Sequence, residues 1–562
     1  MNRRIARLIL LTLLVTLLTA ACQIVLPPAT EETQTTVTLV ADGTTQTLDV
    51  NPNYTVNDVL RLLDLSLGPL DRINPPGYSR IEDGMTITIV RVREETVVTQ
   101  EVVPFERRTV PNEGLPEGET QLLQAGANGL AEVTYRVTYE DGVEAGRSEV
   151  RRVLLETPQD EVIMVGRQSE LPTVTVNGTL AYIYNGNAWV MRENSANRRP
   201  LTLDGGLDGR VFELSADGGR LLYTRTADAA PEEGEAGPAP FNSLWAVLDT
   251  RAEESQPVPL GLDNILFAAW VPGTERTILY STAEPRESFP GWQANNDLWR
   301  GEVTDDGQVV NQVQLVEPWS GGVYGWYGTA YAIAPDGVTL AWAQPDAVGL
   351  LLPTYGEEDE EGDGEAEGEP VEPPPDDSTQ LPTGYERQTL LAFAPWNAYD
   401  FVWVPNPVWS PDGTLLLTLV HGEPLGNEAP EDSPAFPLVA LPRDASYSAR
   451  LVEQAGMWAE PSFSPVAESE QVAYLQSIRP LESVSGRYQL VIMDRDGSNR
   501  RILYPAADQP GLAPQPYTWS PDGRQIALVN PGPEGALMLI DTATGLAQQV
   551  TEGQTSTPRW AP

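Results

Sequence analysis

The chain contains no lysine: all 35 of its basic residues are arginine. That excludes a Schiff-base lysine and a phosphate-loop lysine outright. It has one cysteine and one histidine, so no internal disulfide and no cysteine zinc site can be built. A Ser-His-Asp triad would have to use His421. No Gly-x-Ser-x-Gly elbow occurs to present its serine. Positive charge is scarce as well. Eighty acidic residues against 35 basic leave a net charge of −45, the opposite of the basic patches that grip nucleic-acid phosphates. No loop has the ligand order of an EF-hand. The expectation is no catalytic residue, no metal, no cofactor and no nucleic acid.

What the chain has in plenty is one phrase. Trp519-Ser520-Pro521-Asp522-Gly523 reads as an aromatic anchor and a tight turn, followed by the β-rich run Gln525 to Leu528. It recurs at Trp409-Ser410-Pro411-Asp412-Gly413, and more loosely at Leu214, Trp270, Ile333 and Phe463. Proline fixes φ and Asp-Gly supplies the turn conformations. From 409 to 463 is 54 residues, from 463 to 519 is 56, and from 214 to 270 is 56; the longest interval, 333 to 409, is 76 and holds an acidic insertion. Each unit has a second hairpin, as in Leu490–Asp494 with Arg501–Leu503. Two hairpins make a four-stranded antiparallel sheet, one propeller blade.

The final Trp560-Ala561-Pro562 is half a phrase, and Asn177-Gly178-Thr179-Leu180-Ala181-Tyr182 supplies the other half. One blade shared by both ends of the domain would close a ring and remove sheet edges. Trp560, Asn177 and Gly178 are therefore the expected closure. With the six internal copies this gives about seven blades, six or eight also being compatible. These residues resemble the TolB-type propeller repeat over roughly residues 172–562. The resemblance implies an extracytoplasmic scaffold that binds other proteins. Prolyl peptidases carry related propellers, but no hydrolase domain is expected after the closing half-phrase.

The N-terminus has its own logic. Arg3, Arg4 and Arg7 precede an apolar run, Leu8 to Leu18, and then Thr19-Ala20-Ala21-Cys22. The run is short for a membrane span and fits a signal peptide. The segment resembles a bacterial lipobox, which implies a lipid on Cys22 and an extracytoplasmic protein anchored to the cell membrane; an uncleaved anchor is the alternative. Residues 23–35 read as a flexible Pro, Thr and Glu tether.

Residues 36–92 read as hairpin, helix and strand. Asp42-Gly43 makes the turn, Thr55 caps a helix with Asp58 three residues on, and Met85 to Val92 is a strand. This is a β-grasp layout. It resembles the ubiquitin-like domain beside five-glycine domains in resuscitation-promoting factors, with a sugar-export-type β-grasp domain as the alternative. Residues 93–168 carry Gly118, Gly126, Gly129, Gly142 and Gly166 around the alternating run Val133 to Tyr139. They resemble the elongated all-β five-glycine domain of surface proteins, which implies contact with peptidoglycan or another amino-sugar glycan. The glycines themselves read as structural.

All 14 tryptophans lie in 169–562, the propeller. Its insertion 356–380 includes 12 carboxylates and no arginine between Glu357 and Asp377, the composition of a disordered segment. Two aromatic-dense stretches stand out. One holds Trp319, Tyr324, Trp326, Tyr327 and Tyr331; the other holds Trp396, Tyr399, Phe401 and Trp403. Strand-borne Trp403 and Trp409 are expected to pack between blades. Trp326, Tyr327, Trp396 and Tyr399 are expected on mouth loops as ligand contacts. The sequence therefore points to a mainly β, lipid-anchored envelope protein whose propeller binds a protein or glycan. The alternative is a propeller glycosidase or lyase working with paired carboxylates.

Overall fold

The computed structural model describes residues 34–112, 115–167, 171–227, 239–253, 256–322, 324–355, 382–398, 401–530 and 535–562. Cys22, most of the tether, Tyr399 and the insertion 356–380 lie outside the described residues. The chain forms two compact units, Met1–Glu106 with Ala125–Glu161, and Arg107–Gln124 with Val162–Pro562.

In the first unit, strands Thr35–Ala41 and Thr44–Val50 pair as a hairpin, and Asp42 and Gly43 take φ of 52° and 71° at its tip. Thr55 and Asp58 form a capping box at the head of helix Val56–Leu62. The helix places Val56, Val59 and Leu60 against Val37, Leu39, Ile87 and Ile89. Strand Thr86–Val90 runs parallel to the first strand, completing the β-grasp sheet. A second sheet follows, of strands Val92–Val103, Gly129–Glu140 and Val143–Glu156, the last almost wholly exposed. Arg91 sits at the junction. Its guanidinium lies 2.8 Å from Asp42 and 2.7 Å from Asp71 and the Ser66 carbonyl.

The other strands of the five-glycine segment, Arg107–Asn112, Glu161–Gly166 and Thr120–Gln124, form a separate sheet whose residues 107–124 and 162–166 belong to the second unit. The five-glycine stretch thus forms two thin sheets. Neither carries a core cluster of its own among the described residues; Val110 packs instead into the propeller core around Trp189. The glycines act through space and backbone. A side chain at Gly166 would meet the Pro116 carbonyl oxygen at 1.9 Å, and Gly142 takes φ of 83°.

The remainder is a propeller. Blade 1 joins strands Thr175–Tyr184 and Asn187–Pro200 to Thr555–Ala561. Blades 2 to 7 follow in chain order at 207–263, 265–316, 330–392, 408–452, 462–504 and 518–549. The six are antiparallel, with four strands in sequence order; blade 3 adds the short strand Trp292–Ala294. Seven apolar clusters lie between seven sheets. They run from Ala181 and Tyr223 between blades 1 and 2 round to Leu539 and Tyr182 between blades 7 and 1. As many interfaces as sheets means a closed ring. First strands of neighbouring blades touch one another, so they surround the axis.

The repeated phrase explains the bottom of each blade. The buried Ser520 hydroxyl donates to Asp522 at 2.6 Å and accepts from the Gln525 N–H at 2.9 Å, while the Gly523 N–H closes the turn on the Ser520 carbonyl. Ser410 and Ser215 repeat this pattern. The aspartate also ties its blade to the next. Arg443 holds Asp336 at 2.8 Å, Arg495 holds Asp412 at 3.2 Å, and Asn177 donates to Asp522 at 2.8 Å. Burial works to raise all three carboxyls, but the donors around them outweigh it and hold each below the usual carboxylate range. A carboxyl lowered on folding stabilises the fold above its unfolded value of about 4, and this contribution is lost as pH falls through the folded value. Thermal melts should therefore fall steeply below about pH 4, and Asp412→Asn should flatten that fall. A melting temperature that holds level down to pH 3 would show that these ties carry no stability.

Candidate functional site

One end of the ring is built from aromatics. In an antiparallel blade the first and third strands begin at the same end. Phe241 lies just before the third strand of blade 2, and Trp292 lies between the second and third strands of blade 3. Tyr324, Trp326 and Tyr327 occupy the passage from blade 3 to blade 4, Trp396 and Phe401 that from 4 to 5, and Trp458 that from 5 to 6. All of them fall at that end. Their contacts are consecutive: Phe241–Trp292 at 6.4 Å, Trp292–Tyr327 at 6.4 Å, Tyr327–Trp326 at 5.8 Å and Trp326–Tyr324 at 6.3 Å. The Asn397 amide then donates to the Tyr324 hydroxyl at 2.9 Å, beside Trp396–Phe401 at 6.1 Å and Phe401–Trp458 at 6.0 Å. Arg210 begins the arc, 5.0 Å over Trp292 and 5.7 Å over Phe241.

The centre of the arc is held rigidly. Gly325–Tyr327 is a single 3-10 turn. Fully buried Asn296 donates to the carbonyls of Gly325 and Trp319, at 2.8 and 3.3 Å, and accepts from the Thr329 hydroxyl at 2.8 Å. One side chain thus fixes both ends of the loop, and Trp326 on it stays 48% exposed. Contacts on such a loop lose little entropy when a ligand arrives. Asn296→Ala should leave three polar partners unsatisfied and loosen the loop. Its tryptophan emission should red-shift before the propeller melts, and an unchanged spectrum would refute the pinning.

The expected contacts divide. Trp326 and Tyr327 stand together on the arc. Trp396 touches the arc through Phe401 but is half-buried, its edge also on Phe436 in the core between blades 5 and 6. Trp403 and Trp409 are buried. Trp560 is only partly buried; its indole N–H donates to the Asn177 carbonyl at 2.6 Å, and its strand pairs with Thr175–Tyr184. Gly178 takes φ of 82°, and a side chain there would meet the Ala561 carbonyl at 2.3 Å. His421 is buried with each ring nitrogen 2.8 Å from a backbone carbonyl, Ala394 on one side and Ser433 on the other. No group of three or more His, Cys, Asp or Glu able to hold a metal occurs among the described residues.

Sequence reasoning missed the axis. Arg559 of blade 1 pairs with Glu213 of blade 2 at 3.0 Å. It also feels Glu460 of blade 6, which it can meet only across the ring. Burial pushes the Glu460 carboxyl up, against hydrogen bonding from Asn406 and the Arg559 charge. Burial pulls Arg559 down, but its two carboxylate neighbours leave it raised. Glu460 adopts φ of 43°, the left-handed region a side chain enters only under constraint. A signal was present. Strand alternation puts the residue before each motif anchor on the opposite face of its sheet, and Glu213 and Arg559 occupy that position.

The family and curated matches fall on about a third of the chain, whereas the solved structures cover about two thirds of it. Residues 94–168 match the G5 domain and residues 37–77 match the G5-linked ubiquitin-like domain. Resuscitation-promoting factor RpfB of Mycolicibacterium smegmatis is 27% identical over 186 residues, 31% of this chain and 49% of the relative. Resuscitation-promoting factor Rpf2 of Corynebacterium glutamicum is 29% identical over 183 residues, 32% of this chain and 46% of the relative. The chain spans about half the length of these relatives. Among solved structures, a TolB-type protein from Agrobacterium tumefaciens covers 70% of this chain and 95% of its own, at 13% identity and a TM-score of 0.32. Periplasmic gluconolactonase PpgL of Pseudomonas aeruginosa covers 68% and 98%, at 13% identity and a TM-score of 0.39.

Proposed function

We propose that this protein is a cell-envelope binding scaffold. Its G5 domain contacts peptidoglycan or another amino-sugar glycan, and its propeller holds a protein or glycan partner on the aromatic arc. The observation that carries the propeller half is the exposed arc fixed by Asn296. The G5 match and the resuscitation-promoting-factor relatives support the wall-facing half. Lipidation of Cys22 would hold the chain on the extracytoplasmic face of the membrane. Cys22→Ser should release the protein from the membrane fraction or leave it unprocessed; normal processing with full membrane retention would exclude the lipid anchor.

The binding role is tested by sedimentation with purified peptidoglycan and by capture from envelope extract. Trp326→Ala should weaken capture by about 1–3 kcal/mol if the residue is a hot spot, with an unchanged melting temperature. Trp396→Ala should weaken capture and lower the melting temperature together, because its ring also packs on Phe436. Undiminished capture by both variants would remove the arc from the interface.

A second reading, hydrolysis of an envelope polysaccharide, draws on Glu460, a raised carboxyl sharing Arg559 with a second carboxylate. Raised acids of this kind serve as proton donors to leaving groups. Wall-glycan hydrolysis by the purified protein that disappears in Glu460→Gln would establish that reading and overturn the non-catalytic one.

A further inference from the structure

A cavity lies between blades 3 and 4, walled in part by Trp319 and Thr329 from the same loop that carries Trp326. It has a volume of about 790 Å³ and is lined by Trp319, Trp342, Gln344, Tyr385 and Arg387, with Glu317 and Asp346 also in its wall. We infer that this cavity binds a sugar ring bearing a carboxylate, with Arg387 as the carboxylate's partner.

The argument begins with the arginine. Its guanidinium lies 3.4 Å from the Trp342 ring centre and 4.5 Å from that of Trp319, sandwiched between the two indoles. Stacking on both faces leaves only the N–H edge free to donate, and that edge has the bidentate geometry a carboxylate matches. One nitrogen donates to the Gln344 side-chain oxygen at 2.7 Å, and the Gln344 amide donates in turn to Thr329 at 3.0 Å. Gln344 is buried, so the arginine is aimed by a fixed neutral partner. Among the described residues no carboxylate comes within 4.0 Å of it, although acids outnumber arginines 80 to 35 in this chain. Arg443, Arg495 and Arg559 have such partners, whereas Arg192, Arg300 and Arg501, like Arg387, are held by neutral oxygens. What sets Arg387 apart is its place: a cation without a carboxylate partner among the described residues, stacked on indoles and opening on a cavity, suits an anion brought from outside.

The rest of the cavity suits a sugar. Trp319 is 39% exposed and offers an indole for the apolar face of a pyranose. The volume lies in the range of small-ligand sites. Exposed Glu317 and Asp346 can accept from ring hydroxyls; Arg387 feels the Asp346 charge, but neither carboxylate forms an ion pair with it. This inference rests on the envelope reading for its choice of sugars. Both a muramic acid whose lactyl carboxyl bears no stem peptide and a uronic acid from a surface polysaccharide carry the required carboxylate.

The test is titration of the full chain by calorimetry and tryptophan fluorescence with two matched pairs of sugars. N-acetylmuramic acid is set against N-acetylglucosamine, and glucuronic acid against glucose. At least one acid should bind about tenfold or more tightly than its neutral counterpart, since a charge-assisted bidentate pair is lost with the carboxylate. Which acid binds identifies the source. Arg387→Met should abolish the preference. If that variant misfolds, Arg387→Lys keeps the charge without the fork and should lose most of the preference with the melting temperature retained. Equal affinity within both pairs, or a preference unaffected in both variants, would overturn the assignment. Peptidoglycan sedimentation is read in parallel. Retention without any acid preference refutes the cavity alone, whereas acid preference without retention refutes the wall-binding role and leaves the cavity standing.

Discussion

Removing residues 555–562 should abolish cooperative melting of the propeller. Those residues supply the inner strand of blade 1, paired from Thr179–Ala561 to Tyr184–Thr555. Without them strand Thr175–Tyr184 becomes a bare edge, and the Trp560 N–H bond to Asn177 is lost. Glu213 loses Arg559, and Glu460 loses the charge that offsets its burial. The cores on both sides of blade 1 open together, since Tyr182 belongs to one and Ala181 to the other. The combined loss is comparable with the whole net stability of a domain, about 5–15 kcal/mol. Circular dichroism against temperature should show a broad, early transition. A sharp transition at the native temperature would show that blade 1 is stable without its last strand. Gly178→Val gives a milder version by forcing a side chain into the Ala561 carbonyl.

Trp342→Ala should be the most damaging single substitution between blades 3 and 4. Trp342 is 2% exposed and packs with Leu279, Leu298, Tyr331 and Leu351. Its indole N–H donates to the Leu350 carbonyl at 3.1 Å. Truncation of a buried tryptophan costs about 3–5 kcal/mol. The same change removes one wall of the Arg387 sandwich, so the cavity should lose its ligand as the fold weakens. Trp342→Phe should recover most of the stability, because it keeps an aromatic plane in the core. If Trp342→Ala melts like the native chain, this cluster does not hold the two blades together.

The ring was legible because it is a repeat. Trp409, Trp519 and the degraded copies mark one place in each blade, and the half-phrases at Asn177 and Trp560 announced the join. The β-grasp helix was legible because Thr55 and Asp58 form a local cap. What the sequence hid was whatever depends on distance across the fold. Trp396 looked like Trp326, each beside glycine or proline in an aromatic-dense stretch. Only the packing of Phe436 beneath it makes Trp396 half core. Phe241, Trp292 and Trp458 sit in three separate connections and become neighbours of the expected residues only once the blades are arranged. Glu460 and Arg559 come from parts of the ring that are not neighbours, with blade 7 between them. The pairing of the five-glycine strands into two separate sheets had no local signal, because strand alternation does not say which strands pair.

The join in blade 1 also sets a timetable. Asn177 and Trp560 are 383 positions apart, so the strand around Asn177 is made well before its partner, Thr555–Ala561, and must wait for it. Contacts between such distant positions form slowly, because the loop between them has to be ordered first. Throughout that wait the early strand shows an unpaired, apolar edge, the kind that recruits strands from other chains. A chain stalled or clipped near its end would therefore fail as a sticky open ring rather than as a slightly weakened one, and refolding yield should fall with protein concentration.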